Sequence, residues 1–139
     1  AISRLVDMDI EPFLIASVLL ASFAQRLVRT ICPYCKEKYQ PPKVALAAVG
    51  LDNVDNGSFM RGRGCNQCMN TGYKGRTGIF EVLVNDEMVQ RLILEKRSAQ
   101  EIAREAKKAG RLRTLQEDAA AKVLRGITTL EEAAGAVMM

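Results

Sequence analysis

The residues with the clearest chemical potential are four cysteines, which occur as two pairs. Cys32 and Cys35 stand in the string CPYC, and Cys65 and Cys68 stand in CNQC, so both pairs have the C-x-x-C spacing. Two such turns can each present two thiolates to one tetrahedral ion, at metal–sulfur distances of about 2.3 Å. Because four thiolates leave no open position for water, the spacing favours a structural zinc site and predicts no catalytic residue.

Two other interpretations of the cysteines remain open at this point. A single C-x-x-C can be a redox pair, and four cysteines can form two disulfides. Redox motifs seldom occur twice in one short chain, and the thioredoxin-like βαβ context is absent. Nothing in the sequence indicates secretion, which disfavours disulfides. Zinc is therefore the preferred interpretation.

The second cysteine pair lies in a glycine-rich and basic stretch, RGRGCNQCMNTGYKGRTG (residues 61–78). No Gly-x-x-x-x-Gly-Lys-Ser/Thr string occurs in the chain, so a phosphate-binding loop is excluded. Gly64 directly precedes Cys65, where a tight metal-bound turn needs backbone freedom. Arg61 and Arg63 flank the predicted site and would soften the field of a doubly negative tetrathiolate centre.

The same basic stretch motivates an alternative function, a zinc ribbon that binds nucleic acid. The cations concerned are Arg61, Arg63, Lys74 and Arg76. Only Phe59 and Tyr73 offer stacking surfaces nearby, and base recognition usually needs more. The formal net charge is +4, and it falls to about +2 when four thiolates bind one divalent ion. This weak basic balance disfavours the alternative, and no nucleic-acid partner is expected.

Length and hydropathy limit the number of domains and the classes of protein to which the chain can belong. The 139 residues suffice for one ordinary domain or two small modules, and 48% of them are hydrophobic. The longest apolar run, FLIASVLLASFA (residues 13–24), contains two serines and is too short to cross a bilayer. No membrane insertion is expected. The chain opens within an apolar pattern, so we expect it to be a piece of a longer protein.

The N-terminal half is predicted to contain two helices. A long helix should begin at Pro12 and continue through Val28, buried on most sides. A short alanine-rich helix should follow the prolines at 41 and 42 and end at Gly50. The turn-rich string LDNVDNGS (residues 51–58) predicts a loop.

The C-terminal half is predicted to contain one strand and then helices. The strand is TGIFEVLV (residues 77–84). Asn85 or Asp86 should cap the next helix, while SAQE (residues 98–101) and TLEE (residues 129–132) are capping boxes that start two others. Gly110 and Gly126 should end helices. Together these helices predict a small bundle.

Three motifs carry a resemblance to a known family. QRLVR-x-x-C-x-x-C, GC-x-x-C-x-x-x-GYKGRTGIFEV and GITTLEE resemble the C-terminal part of the secretion and pilus-assembly ATPases, the GspE/PilB family. The resemblance covers essentially the whole chain. It implies a mostly α fold with a small α+β zinc-binding module, forming the C-terminal part of a RecA-like ATPase domain plus a helical bundle. Residues 1–30 would end the RecA-like core, 31–76 would form the tetracysteine zinc subdomain, and 77–139 would form the strand and the bundle.

The family's properties follow as implications of that resemblance. The whole protein would be a cytoplasmic homo-hexameric ATPase that uses ATP and Mg²⁺. It would lie at the inner membrane through platform proteins and power pseudopilus or pilus extension. Its zinc ligands would be Cys32, Cys35, Cys65 and Cys68. Retraction motors generally lack the tetracysteine block, so the resemblance favours an assembly motor. It leaves type II secretion, pilus assembly and DNA uptake open, with a preference for secretion.

The chain departs from the complete family pattern because both Walker motifs and the histidine box are missing, and it contains no histidine. We therefore expect the isolated chain to hydrolyse no ATP. Arg26 and Arg29 either approach a neighbouring subunit's nucleotide or form a charged end of the long helix. Arg76 either binds across a subunit interface or pairs with Glu81. Removal of zinc is expected to unfold residues 32–73 and spare the terminal helices.

Overall fold

The computed structural model of the chain describes residues 2–51 and 59–138, without the side chains of residues 48 and 138. Most of the predicted loop at residues 51–58 therefore lies outside the described residues. These residues form an α+β fold with seven α-helices and five β-strands. The helices are α1 (Ile2–Asp7), α2 (Pro12–Val18), α3 (Lys43–Ala48), α4 (Glu87–Leu94), α5 (Ala99–Lys108), α6 (Leu115–Leu124) and α7 (Leu130–Met138). The strands are β1 (Ala21–Ile31), β2 (Lys36–Lys38), β3 (Met60–Gly62), β4 (Tyr73–Val84) and β5 (Leu112–Arg113).

The chain divides into two compact units, and each is made from two separate stretches of sequence. Unit 1 comprises residues 1–24 and 81–114, and unit 2 comprises residues 25–80 and 115–139. The strands form a three-stranded sheet of order β1-β4-β5 and a two-stranded sheet of β2 and β3. β2 and β3 are antiparallel, with Lys36 opposite Gly62 and Lys38 opposite Met60. None of the described helices is long and apolar enough to cross a membrane.

Unit 1 has a core between α2, α4 and α5. The core residues are Ile15, Ala16, Val89, Leu92, Ile93, Ile102 and Ala106. The local sequence explains where the helices begin, because the Asp86 side chain accepts the Val89 N–H and the Ser98 hydroxyl accepts the Glu101 N–H. Both predicted caps are confirmed.

Unit 2 has a core that joins α3, α6 and α7 to residues of β1 and β4. The buried members are Val28, Leu46, Val49, Leu51, Phe59, Ile79, Ala119, Val123, Leu130, Ala133 and Ala136. Pro42 precedes α3, and the Thr129 hydroxyl accepts the Glu132 N–H at the start of α7. Gly126 has φ +71° just after α6, as its predicted helix-ending role requires.

The long buried helix predicted within residues 1–30 is wrong. α2 ends at Val18, Leu19 is extended, and β1 begins at Ala21. The physical reason is distant in sequence: the Asn85 side-chain amide donates to the carbonyls of Ala16 and Leu19, and its backbone N–H donates to Leu20. An apolar run that is buried in a sheet and one that is buried in a helix have similar sequence patterns.

Two further expectations change with the structure. The fold is α+β rather than mostly α, because β1 and β4 contain 11 and 12 residues. β4 includes the whole predicted strand and begins four residues earlier, at Tyr73. The C-terminal helices also do not form one bundle, since α4 and α5 belong to unit 1 and α6 and α7 belong to unit 2.

Candidate metal centre

Two tight turns, which we call knuckles, carry the four cysteines, and both lie in unit 2. The first knuckle begins with Cys32, directly after β1, and ends with Cys35, directly before β2. The second surrounds a 3₁₀ turn at Asn66–Cys68, which Cys65 precedes. Gly64 has φ +104°, so the predicted need for backbone freedom beside Cys65 is confirmed. The two strand ends and the 3₁₀ turn thus bring distant cysteines together.

The four sulfur atoms have the spacing of a tetrahedral metal site. The Sγ atoms of Cys32 and Cys65, of Cys35 and Cys68, and of Cys65 and Cys68 are each 3.8 Å apart. All four sulfurs lie within 4.8 Å of one another. A tetrahedron with metal–sulfur bonds of about 2.3 Å has edges of about 3.8 Å. A disulfide needs about 2.05 Å, and all four cysteines are free thiols. The cluster could therefore hold a metal ion.

Backbone N–H groups point at two of the sulfurs, as they do around bound thiolates. Gly64 donates to the Cys35 sulfur at 3.2 Å, and Cys65 and Gly72 donate to the Cys68 sulfur at 3.3 and 3.2 Å. Burial raises the pKa of the Cys68 thiol, but these donors outweigh burial and lower it to about 6. Burial raises the pKa of the Cys35 thiol to about 11, against the opposing Gly64 N–H. The positive charge of a bound cation would favour the thiolate form of all four cysteines, including Cys35.

Two of the four basic residues near the knuckles contact protein groups. Arg61 pairs with Glu37 at 3.1 Å, and the Lys74 ammonium lies 5.0 Å from the Tyr34 ring centroid. The two aromatic side chains considered for base stacking are also engaged. Phe59 is buried, and the Arg29 guanidinium lies over the Tyr73 ring at 4.0 Å. The few aromatic surfaces near the basic cluster are thus engaged within the protein, which further disfavours the nucleic-acid alternative.

The three arginines of undetermined role lie on strands, so the interpretation of Arg26 and Arg29 as the charged end of a helix is wrong. Arg26 donates to the Ala136 carbonyl near the end of α7. The Arg29 guanidinium donates to Glu132 at 2.6 and 2.9 Å, and its backbone N–H donates to the same carboxylate at 2.8 Å. Arg76 lies on β4 and makes no ion pair with any residue that the structure describes.

Sequence reasoning missed two glycines that shape the centre, Gly62 and Gly72. Their backbones approach so closely that an ideal Cβ on Gly62 would lie 2.0 Å from the Gly72 carbonyl oxygen. The only signal in the sequence was the density of glycines around the second cysteine pair. Nothing in that density indicates which two of them meet.

The chain is similar in sequence to proteins of bacterial secretion systems. Residues 1–135 match the family described as Type II/IV secretion system protein, and the chain belongs to that family. It is 46% identical over 132 residues to the type II secretion system protein E of Pseudomonas aeruginosa, covering 95% of this chain and 26% of that protein. It is 44% identical over 132 residues to the type II secretion system ATPase E of Vibrio cholerae, with the same coverage of both chains.

A pilus-assembly protein is similar as well. The type IV pilus assembly ATPase PilB of Thermus thermophilus is 42% identical over 134 residues, which are 95% of this chain and 15% of PilB. The chain thus spans about a quarter or less of the length of these curated relatives. Secretion and pilus proteins are similar to it to nearly the same degree, so identity alone does not separate the two systems.

Proposed function

We propose that this chain is the zinc-binding and helical C-terminal region of a hexameric ATPase that powers pseudopilus or pilus assembly in type II secretion. The observation that carries the proposal is the four-sulfur cluster in a member of the secretion family. The relatives are named as secretion-system and pilus-assembly ATPases, which supports the motor class. Two of the three relatives described above are named as type II secretion proteins, which makes type II secretion the first system to test.

The metal in this proposal is zinc, held by Cys32, Cys35, Cys65 and Cys68. Four thiolates in a tetrahedron suit zinc and disfavour calcium and magnesium, which prefer oxygen ligands. The closed sulfur shell leaves no position for substrate, so the zinc stabilises structure and takes no part in a reaction. The N–H groups of Gly64 and Gly72 would orient the Cys35 and Cys68 sulfurs and stabilise their negative charge.

The zinc would hold together a segment that has little apolar core of its own. Residues 31–76 contribute four buried side chains to the unit 2 core, where they join residues of α6 and α7: Leu46, Val49, Leu51 and Phe59. Around the cysteines themselves, backbone hydrogen bonds and the metal would replace apolar packing. A module stiffened in this way could transmit movement of the ATPase core to the membrane platform.

The remaining parts of the function belong to the longer protein. ATP and Mg²⁺ binding would need regions outside this chain, because neither Walker motif occurs in it. Hexamer formation and contact with inner-membrane platform proteins are proposed for the whole protein. On this proposal the protein works in the cytoplasm, at the inner membrane through protein partners. The chain alone should show no ATP hydrolysis.

A segment exchange tests this function. This chain would replace the matching 132 residues of protein E in a Pseudomonas aeruginosa strain that lacks that protein, and secreted type II substrates would be measured. We expect secretion to be restored. A matched exchange into the same organism's PilB, which is 38% identical over 133 residues, would be scored for surface pili. Pili without secretion would favour pilus assembly over the type II system.

The control is the protein E exchange with Cys32 and Cys65 both replaced by serine. We expect this variant to lose secretion, because two of the four sulfurs are removed. If the unmodified exchange is made at the normal level but restores neither secretion nor pili, the proposed function is wrong. If the serine variant secretes like the unmodified exchange, the zinc centre has no role in it.

A further inference from the structure

Gly72 joins the two knuckles through its backbone. Its N–H donates to the Cys68 sulfur at 3.2 Å, and its carbonyl accepts the Cys32 N–H at 2.9 Å. Cys32 directly follows β1, and Tyr73, the residue after Gly72, begins β4. One residue therefore contacts a sulfur of the second knuckle and the backbone of the first, at the ends of two long strands.

The surroundings of Gly72 have no room for a side chain. Its φ of +82° is unfavourable for any residue with a Cβ. An ideal Cβ on Gly72 would lie 2.5 Å from the Gly62 carbonyl oxygen, and one on Gly62 would lie 2.0 Å from the Gly72 oxygen. Both obstacles are backbone atoms, so a side-chain rotation cannot relieve the clash. A substitution at Gly72 must move the backbone that contacts Cys32 and Cys68, and a substitution at Gly62 must push against that same backbone.

We propose that Gly72 is the positioning residue of the metal centre, which sets the two knuckles at the separation that a tetrahedral ion needs. The inference rests on the proposed zinc function and extends it from the four ligands to their support. Displacement of the Gly72 backbone would remove a donor from the Cys68 sulfur and release the backbone N–H of Cys32. Partners of this kind around metal ligands change metal affinity by about 10–100-fold when they are lost.

The positive φ alone is a competing explanation, and the chain offers a matched control for it. Gly110 has φ +73°, lies in unit 1 and has no atom within 4 Å of its ideal Cβ. Gly110→Ala therefore introduces the same kind of backbone strain without any clash, in the unit that contains no cysteine. Gly62→Ala introduces the clash at a position whose φ lies outside the left-handed region.

The experiment measures metal binding by the wild-type chain and the three variants. Each reduced protein is titrated with Co²⁺, whose absorption reports the number of thiolates and their geometry, and Zn²⁺ affinity is then found by competition with a chelator. We expect Gly72→Ala and Gly62→Ala to bind Zn²⁺ about 10–100-fold more weakly than wild type, with an altered Co²⁺ spectrum. Gly110→Ala should keep the wild-type affinity and spectrum.

The outcomes separate this inference from the function on which it rests. A wild-type chain that binds neither ion would overturn the zinc proposal itself. A wild-type chain that binds both, with Gly72→Ala or Gly62→Ala binding equally well and with the same spectrum, would overturn only the role of Gly72. Equal loss of affinity in Gly110→Ala would also overturn it, because strain alone would then suffice. If Gly72→Ala does not fold, Gly62→Ala tests the same backbone contact.

Discussion

Glu132 connects the start of α7 to β1 through a single carboxylate. It accepts three N–H groups of Arg29, one from the backbone and two from the guanidinium. Burial raises the pKa of Glu132, but the hydrogen bonds and the charge of Arg29 outweigh burial and lower it overall. Since the folded pKa lies below the unfolded one, Glu132 contributes stability above the unfolded pKa of about 4.3. That contribution is lost as the pH falls through the lowered pKa.

Glu132→Gln should therefore destabilise the chain at neutral pH and have little effect in acid. Hydrogen bonds to a charged group contribute about 1.5–3 kcal/mol, and since Arg29 is half exposed we expect about 1 kcal/mol. Urea unfolding of both proteins at several pH values from 7 down to 2 measures the difference, which should shrink as the pH falls. Glu95→Gln, which alters an exposed pair with Arg97, should change stability by less than about 0.5 kcal/mol. A Glu132→Gln effect that persists in acid would contradict this account.

At this scale the cysteines could be predicted from sequence and the glycine contact could not. The spacing of each pair is a local constraint, so it indicates a shared ion before any fold is known. The contact of Gly62 with Gly72 depends on how the end of β3 meets the bend before β4. Likewise, the bond of Arg29 to Glu132 joins residues 103 positions apart, and neither residue type predicts the other.

Asn85 ends α2 from a distance, and its replacement tests that role. Its side-chain amide donates to Leu19 at 2.6 Å and to Ala16 at 3.2 Å. Asn85→Ala would leave two part-buried carbonyls without these donors, so we expect a loss of about 1–3 kcal/mol in unfolding free energy. Gln100→Ala removes an exposed amide from α5 and is the control. Equal stability of the two variants in denaturant unfolding would show that Asn85 does not fix the end of α2.

Lys96 ends α4 in a conformation that glycine prefers. Its φ is +58°, its N–H donates to Ile93, and the next N–H, of Arg97, donates to Leu92. This is the hydrogen-bond pattern of a Schellman motif, in which the left-handed residue is usually glycine. Lys96→Gly should raise the free energy of unfolding by about 1 kcal/mol, because it removes the strain of a Cβ. Lys96→Ala keeps the Cβ and should match wild type; a gain in both variants would refute the explanation.

Local sequence suffices to predict where three of the helices begin, but not where α2 ends. Asp86, Ser98 and Thr129 cap helices through bonds to residues three positions away, so the starts of α4, α5 and α7 were predictable. The change from α2 to β1 was not, because it is set by Asn85, which is more than sixty positions away. An apolar run without glycine or proline gives no local sign of such a break.

At the scale of the whole molecule, the structure changes the expected effect of metal removal. Residues 46, 49, 51 and 59 of the tetracysteine segment share the unit 2 core with α6 and α7, whereas unit 1 contains no cysteine. Chelation should therefore increase hydrogen exchange in residues 31–76 and also in α6 and α7, while α4 and α5 keep their protection. Added zinc should reverse the change. Unaltered exchange in α6 and α7 would restore the simpler expectation that the terminal helices are spared.

The most direct test of the account is the metal content of the purified, reduced chain, measured by elemental mass spectrometry together with thiol titration. We predict one zinc per chain and four thiols that become reactive only after chelation, because all four sulfurs should bind the same ion. Protein that was kept reduced throughout and contains no metal but four reactive thiols would contradict the account. The family membership would stand, but the proposed zinc centre would be wrong.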